Sequence, residues 1–579
     1  MKMKKLLSIK SLSKQKLLGY ICLTAILLFA LFLRLYQLAD LPISLFGDEI
    51  DVGYHAWSLA STGRDYMGNL LPSYIQSLAE WRTPLLSYFI APFVSLLGLS
   101  SLSLRLPVAL LGVLNVYLLY LLTNQLFADK KLNLFTRQLQ PGLIAALLLA
   151  ITPWHLHFSR IAVDFTLLLS FLLLGIYFFL KGLKSAKFYF FSALCFSLTF
   201  YTYATANVFI PLLLLSLWFV YRKQINFKKV YPAVILALVV CLPISYHLLF
   251  GQAAGRFGSI SLFSNQEITY QIVTQRTQPW VTSPLLERLF HNKITAYFTA
   301  WISNYLNAFS PQFLFLTGDP NYRHSINTHG ELLLIFLPLI LFGLYHVCKN
   351  LKQKSNQLLL LWLLLSPLPS SLTQDGTNHA IRLSFMLPVL ILISFLGLYQ
   401  LLSLLKTRTK NLVFSLIILF SLFNLSAYWY QYSAHYRYQS ARHWNYGYQQ
   451  IMEDLRPHLT EVNHLYVNNT YEPSLLRFVF FTAFSPSEFQ ADFSGDIPDK
   501  KINDYFTGFP LGEKYYFGQI DSYKNLNQLL EPGDIYLAVQ GEEIPGDWNW
   551  SQNPPDDIKV LSMVTDVLGK PLFYLLTLE

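Results

Sequence analysis

The sequence predicts an all-α polytopic membrane domain of about eleven transmembrane helices, followed by a C-terminal extracytoplasmic α/β domain. Three observations carry that expectation. Of 579 residues, 53% are hydrophobic and only 13% are charged, whereas a soluble globular chain carries about 25% charged residues. The apolar residues fall in runs long enough to span a bilayer, and such runs must be helical because no water there can satisfy loose backbone groups. Lysine and arginine collect in alternate short loops, as they do on the cytoplasmic side of a membrane.

Residues 1–16 hold six lysines and form a basic cytoplasmic N-terminus. The first span, 17–38, is expected to stay uncleaved, because no small-residue cleavage site follows it. Further spans are expected near 104–126, 139–153, 165–181, 188–206, 207–221, 230–248, 331–348, 357–372, 383–405 and 411–429. The apolar run 84–98 is assigned to a helix lying on the membrane. Only then do Lys130, Lys131 and Arg137 share the cytoplasmic side with Lys181, Lys184 and Lys187, and with Lys406, Arg408 and Lys410.

That register makes 17–429 the membrane domain. It puts outside the first loop 39–103 with its interfacial helices, a turn at 154–164, the long loop 249–330, a turn at 373–382 and the tail 430–579. The tail carries 10 basic and 20 acidic residues in a chain of net charge +10. The basic excess thus belongs to the membrane part, follows from topology, and calls for no nucleic-acid partner. Strands are expected at His464–Asn468, Lys514–Gln519, Ile535–Val539, Ile558–Val564 and Leu572–Leu578, with helices at Ser474–Phe484 and Asn525–Leu530.

Four cysteines, Cys22, Cys195, Cys241 and Cys348, lie in or beside spans, so neither a disulfide framework nor a cysteine metal site is expected. Chemistry must come from polar residues in the external loops. In the first loop, Gly47-Asp48-Glu49-Ile50-Asp51 places three carboxylates where the chain leaves the bilayer. They suit the first turn of a helix as well as a catalytic site. Arg82 precedes Pro84 and an apolar helix, where a cation and a helix N-terminus could meet a phosphate; an arginine snorkelling to water fits the same pattern. The second turn holds His155, His157, Arg160 and Asp164, the last at a helix start, where it reads equally as a cap. The third places His379 and Arg382 on one helical face. The long loop 249–330 adds Arg256, Arg276, Arg288, His291, Asp319, Arg323, His324 and His329, a basic lining or a structural lid.

In their order, RLYQLADLPISLFGDE, WRTPLLSYFIAPFVSLLG, LSLRLPVALLGVLNVYLLYLLTNQLF, TPWHLHFSRIAVDF and TNHAIRLSFMLPVL resemble the polyprenyl-phosphate-dependent membrane glycosyltransferases of the GT-C fold, which include protein O-mannosyltransferases and lipid A aminoarabinose transferases. The resemblance spans residues 33–395. It implies transfer of a sugar from a polyprenyl-phosphate donor to a protein, lipid or glycan acceptor outside the membrane. It places the family's first-loop acid on Asp48, with Glu49 beside it, and the second-loop acid on Asp164. The donor phosphate would fall to Arg82, although Arg-Thr-Pro stands here for the more common Lys-Pro-Pro. Arg105, Arg160 and Arg382 would assist with the phosphate, and His155, His324 and His379 would line the site. No cofactor is required; a divalent cation beside Asp48, Glu49 and Asp164 is compatible, though no ligand spacing demands one. The rival class is a lipid or solute transporter, which would place ionisable residues near the membrane midplane, where the expected spans carry almost none.

Overall fold

The computed structural model describes the chain except for residues 1, 79, 136, 252–257, 259, 279–282, 494–499, 542 and 545–547 and the side chains of 2–15. Arg256, named above, lies outside the described residues. The chain divides into two compact units. One comprises residues 1–36 with 108–434, the other residues 37–107 with 435–579.

The first unit is helical. Each of the eleven expected spans coincides with a helix, but their lengths differ. Six helices are long and apolar enough to cross a membrane: Lys16–Leu35, Ser101–Leu126, Phe165–Gly182, Phe227–Phe250, Met386–Ser403 and Thr407–Gln439. The other five are shorter: Pro141–Ala150, Lys187–Phe200, Ala206–Tyr221, Phe336–Lys349 and Lys354–Leu365. At about 1.5 Å per residue, 10 to 16 residues reach less than the roughly 30 Å of a hydrocarbon core. Proline accounts for two of the early stops. Pro153 pushes Thr152 into an extended conformation and opens a separate six-residue helix, and Pro367, which has no N–H to donate, precedes a four-residue turn of helix at Leu368–Ser371. Helices Phe336–Lys349 and Met386–Ser403 meet backbone to backbone. A Cβ on Gly343 would lie 2.0 Å from the Ile393 carbonyl oxygen, and one on Gly397 1.8 Å from that of Leu339. Such close approach through small residues is how apolar helices pack without water to drive them together.

The second unit combines the loop 37–107 with the tail 435–579. Its sheet has seven strands, in the order Ile558–Thr565, Pro571–Leu578, Ile535–Val539, Leu465–Asn468, Tyr515–Ile520, Phe506–Leu511 and Lys500–Lys501. Leu465–Asn468 runs parallel to both neighbours, and the remaining pairs are antiparallel. Every residue of the two adjoining strands Leu465–Asn468 and Ile535–Val539 is buried, as strands covered on both faces should be. The loop helix Gly47–Thr62 is fastened to this body by side chains. Tyr54 Oη donates to the Phe484 carbonyl at 3.0 Å. The Gln490 amide reaches Ser58 Oγ and the Asp65 carbonyl at 3.0 and 2.9 Å. Gly53 leaves room for Leu104 and Phe480, which a Cβ there would approach to 2.8 Å.

Candidate functional site

In the second unit, helix Gly47–Thr62 begins at the acidic motif. Asp48 and Glu49 occupy its first turn, where the positive end of the helix dipole favours carboxylates. The helical period then sends the acids in two directions. Asp48, Asp51 and His55 lie along one stripe; Glu49 and Gly53 lie on another.

Glu49 is fully buried. Its two oxygens accept from Arg105 Nε and Nη2 at 3.0 Å each, a forked ion pair. Arg105, also fully buried, spends its remaining donors on the carbonyls of Pro42 at 2.8 Å and Ser44 at 2.5 Å, and it lies over the Trp444 ring. The pair clamps the chain entering the helix. This corrects two expectations: Glu49 is not poised for catalysis or for a cation, and Arg105 is not available to a phosphate.

The other stripe meets Arg82. That residue sits in a two-residue strand, Trp81–Arg82, paired antiparallel with Ile75–Gln76, just before Pro84 and helix Leu85–Leu97. Arg82 Nη2 lies 2.5 Å from Asp48 Oδ1 and 3.0 Å from Glu80 Oε1, and Nε lies 3.0 Å from Asp51 Oδ2. The Asp48 side chain is 52% exposed and that of Asp51 only 4%. Asp51 is itself fixed: Tyr66 Oη and Ser77 Oγ each donate to it at 2.7 Å. His55 stacks on Tyr66 with centroids 3.8 Å apart and lies 3.2 Å from Ser77 Oγ. Burial disfavours the Arg82 charge, but Asp48, Asp51 and Glu80 outweigh it and hold the guanidinium firmly protonated. Burial also drives His55 down to about 4, offset in part by Asp51 and reinforced by Arg82. An exposed carboxylate and an anchored cation are therefore in contact at a helix start. In the sequence Asp51 stands only as one of three clustered carboxylates and Glu80 has no role, although the spacing of Asp48, Asp51 and His55 (i, i+3, i+7) marks one helical face.

The first unit holds the remaining candidates. Arg160 is fully buried and donates to the carbonyls of Leu33, Arg34 and Tyr36 at 2.8, 3.0 and 2.7 Å. It satisfies the open carbonyl end of the first span and lies over Trp429 and Tyr432. His155 Nδ1 accepts from Arg34 Nη2 at 2.7 Å, and burial, then the Arg34 charge, push this imidazole well below its ordinary range. His157 faces the Arg323 carbonyl instead, with Nε2 at 2.9 Å. Arg160 and His155 are thus scaffold rather than ligand contacts, and the two neighbouring histidines do not converge. Asp164 precedes helix Phe165–Gly182 without a capping hydrogen bond from its side chain. Arg382 pairs with Asp375 and donates to Thr373 Oγ1 at 2.7 Å. His324 and His379 do converge, on Asp319: one ligand-type atom from each of the three lies within 4.8 Å of the others. Among the described residues this is the group with the composition of a metal site.

Residues 81–247 match the family model described as dolichyl-phosphate-mannose-protein mannosyltransferase. No curated protein matches the chain. Among solved structures, apo ArnT from Cupriavidus metallidurans is similar with a TM-score of 0.53 at 12% identity, over 96% of this chain and 97% of that one. The same protein bound to undecaprenyl phosphate gives 0.52. An Archaeoglobus fulgidus oligosaccharyltransferase tethered to an acceptor peptide gives 0.51 at 11% identity, over 81% of this chain; the chain spans 63% of that protein's length. The GT-C fold implied by the order of motifs is the fold this chain has.

Proposed function

We propose that the chain is an integral-membrane glycosyltransferase that moves a sugar, with inversion, from a polyprenyl-phosphate donor to an acceptor on the extracytoplasmic side. The observation that carries this reading is the contact of exposed Asp48 with Arg82, at the position where the motif order puts acid and phosphate holder. A donor phosphate would compete with Asp48 for Nη2 of Arg82. Asp51 would keep the guanidinium in place through Nε during that exchange. Asp48, released, would then accept the proton of the acceptor hydroxyl as its oxygen bonds to the anomeric carbon from the face opposite the phosphate. The bond from that carbon to the phosphate oxygen breaks, and Arg82 stabilises the charge left on the departing polyprenyl phosphate.

The similar structures support the donor class: ArnT was solved with undecaprenyl phosphate. The acceptor is a hydroxyl of a protein, lipid or glycan. The reading is tested by incubating purified full-length protein with a labelled polyprenyl-phosphate sugar and an extract of envelope acceptors. Release of free polyprenyl phosphate together with labelled acceptor is expected, and loss of both in Arg82→Ala. A wild-type protein that moves the intact lipid across a bilayer and releases no polyprenyl phosphate would refute the enzyme and favour a transporter.

A further inference from the structure

Asp319, His324 and His379 belong to two polar segments 55 residues apart that the first unit brings together. Asp319 is almost fully buried. Its Oδ1 accepts from the Asn321 amide at 2.9 Å, and its Oδ2 accepts from the Ala380 amide at 2.8 Å. The same Oδ2 lies 2.7 Å from His324 Nδ1. The His379 ring stands 4.8 Å from that of His324, and its Nδ1 is buried with no hydrogen-bond partner. Glu331, also buried, accepts from the Asp319 amide at 3.1 Å and fixes the loop from behind.

A hydrogen-bonded Asp–His pair alone would explain Asp319 and His324. It does not explain why a second imidazole is held against the first with a buried nitrogen unsatisfied, an arrangement that is costly without a partner. A metal ion supplies that partner. Two imidazoles and one carboxylate suit zinc and its transition-metal neighbours, whereas calcium and magnesium prefer oxygen alone. Zinc bonds of about 2.0–2.2 Å bring ligand atoms to roughly 3.3 Å from each other, so a separation within 4.8 Å closes with small side-chain movements. Three protein ligands leave a fourth position open to water.

We propose that Asp319, His324 and His379 bind one zinc-type ion that clasps the 317–331 loop to the 373–382 turn. This site stands independently of the sugar-transfer reading, since it uses neither Asp48 nor Arg82. The test uses full-length protein purified without a histidine tag, stripped with chelator, and titrated with zinc alone, bound metal being measured by mass spectrometry after equilibrium dialysis. One equivalent is expected in wild type, with affinity at least tenfold weaker in His324→Gln and in His379→Gln. His291→Gln, which changes a histidine paired with Glu287 elsewhere, should bind as wild type does. Because a ligand variant could misfold, wild-type protein is also loaded with cobalt(II), which gives intense visible absorption when bound tetrahedrally. Zinc uptake that is equal in wild type and in both ligand variants, or a cobalt-loaded wild type without that absorption, would overturn the proposal.

Discussion

Asp51→Asn is the change that most sharply separates the anchor of Arg82 from its chemistry. The wild-type side chain is 4% exposed and accepts two hydroxyl bonds at 2.7 Å, from Tyr66 and Ser77, beside the Arg82 contact at 3.0 Å. A hydrogen bond to a charged group contributes roughly 1 kcal/mol more than a neutral one, so the two hydroxyls lose about 2 kcal/mol against an amide. Arg82 keeps Asp48 and Glu80, so its own loss is about 1 kcal/mol rather than the roughly 3–5 kcal/mol of a buried charge left unpaired. The total of about 3 kcal/mol lowers Tm by about 6–12 °C for a body of this size. The guanidinium, no longer braced through Nε, drifts, and a displacement of about 1 Å at a reacting centre costs on the order of 100-fold in rate. Intrinsic-fluorescence melting and labelled sugar transfer read the two effects separately. An Asp51→Asn protein with wild-type Tm and wild-type kcat/KM would refute the idea that Asp51 positions Arg82.

Three further outcomes follow from the same geometry. Arg105→Met should destabilise the fold by about 3–5 kcal/mol, because it leaves Glu49 buried without its partner; Glu49→Gln combined with Arg105→Met should recover much of that loss in thermal melts. Glu80→Gln removes a partly exposed competitor for Arg82, so polyprenyl phosphate should inhibit about twofold more tightly, a surface-scale effect. Burial holds the His55 pKa at about 4, below the ordinary imidazole value of about 6.5. The unfolded chain therefore takes up a proton first, and stability is full above about pH 6.5 and falls as pH drops toward 4, by about 3 kcal/mol in all. Denaturant titrations at pH 7 and pH 4.5 should show that loss in wild type and a smaller one in His55→Gln.

Much of the architecture was legible because it rests on local patterns. Apolar runs located the helices at the eleven expected spans, and short β-prone runs located five of the seven strands of the tail. The other two strands, Lys500–Lys501 and Phe506–Leu511, escaped notice because charges, glycine and proline interrupt their pattern. Helix lengths were misjudged where Pro153 and Pro367 break hydrogen-bond continuity inside apolar runs. Side-chain partnership was the least legible. Arg105 and Arg160 carry the charge expected of phosphate ligands, yet both are fully buried against backbone carbonyls, and nothing in spacing distinguishes a capping arginine from a ligand-binding one. Glu49 adjoins Asp48 in sequence, but one step of about 100° around the helix turns it toward Arg105. The convergence of Asp319 with His379 depends on tertiary folding and leaves no mark in sequence spacing.

Asp48→Asn bears most directly on the central claim. In the donor-release assay the variant should lose transfer by on the order of 10³-fold, the scale of a missing general base, while polyprenyl phosphate binds at least as tightly as to wild type, because the amide competes less for Arg82. Near-normal transfer by a folded Asp48→Asn protein would contradict the assignment of Asp48 as the base.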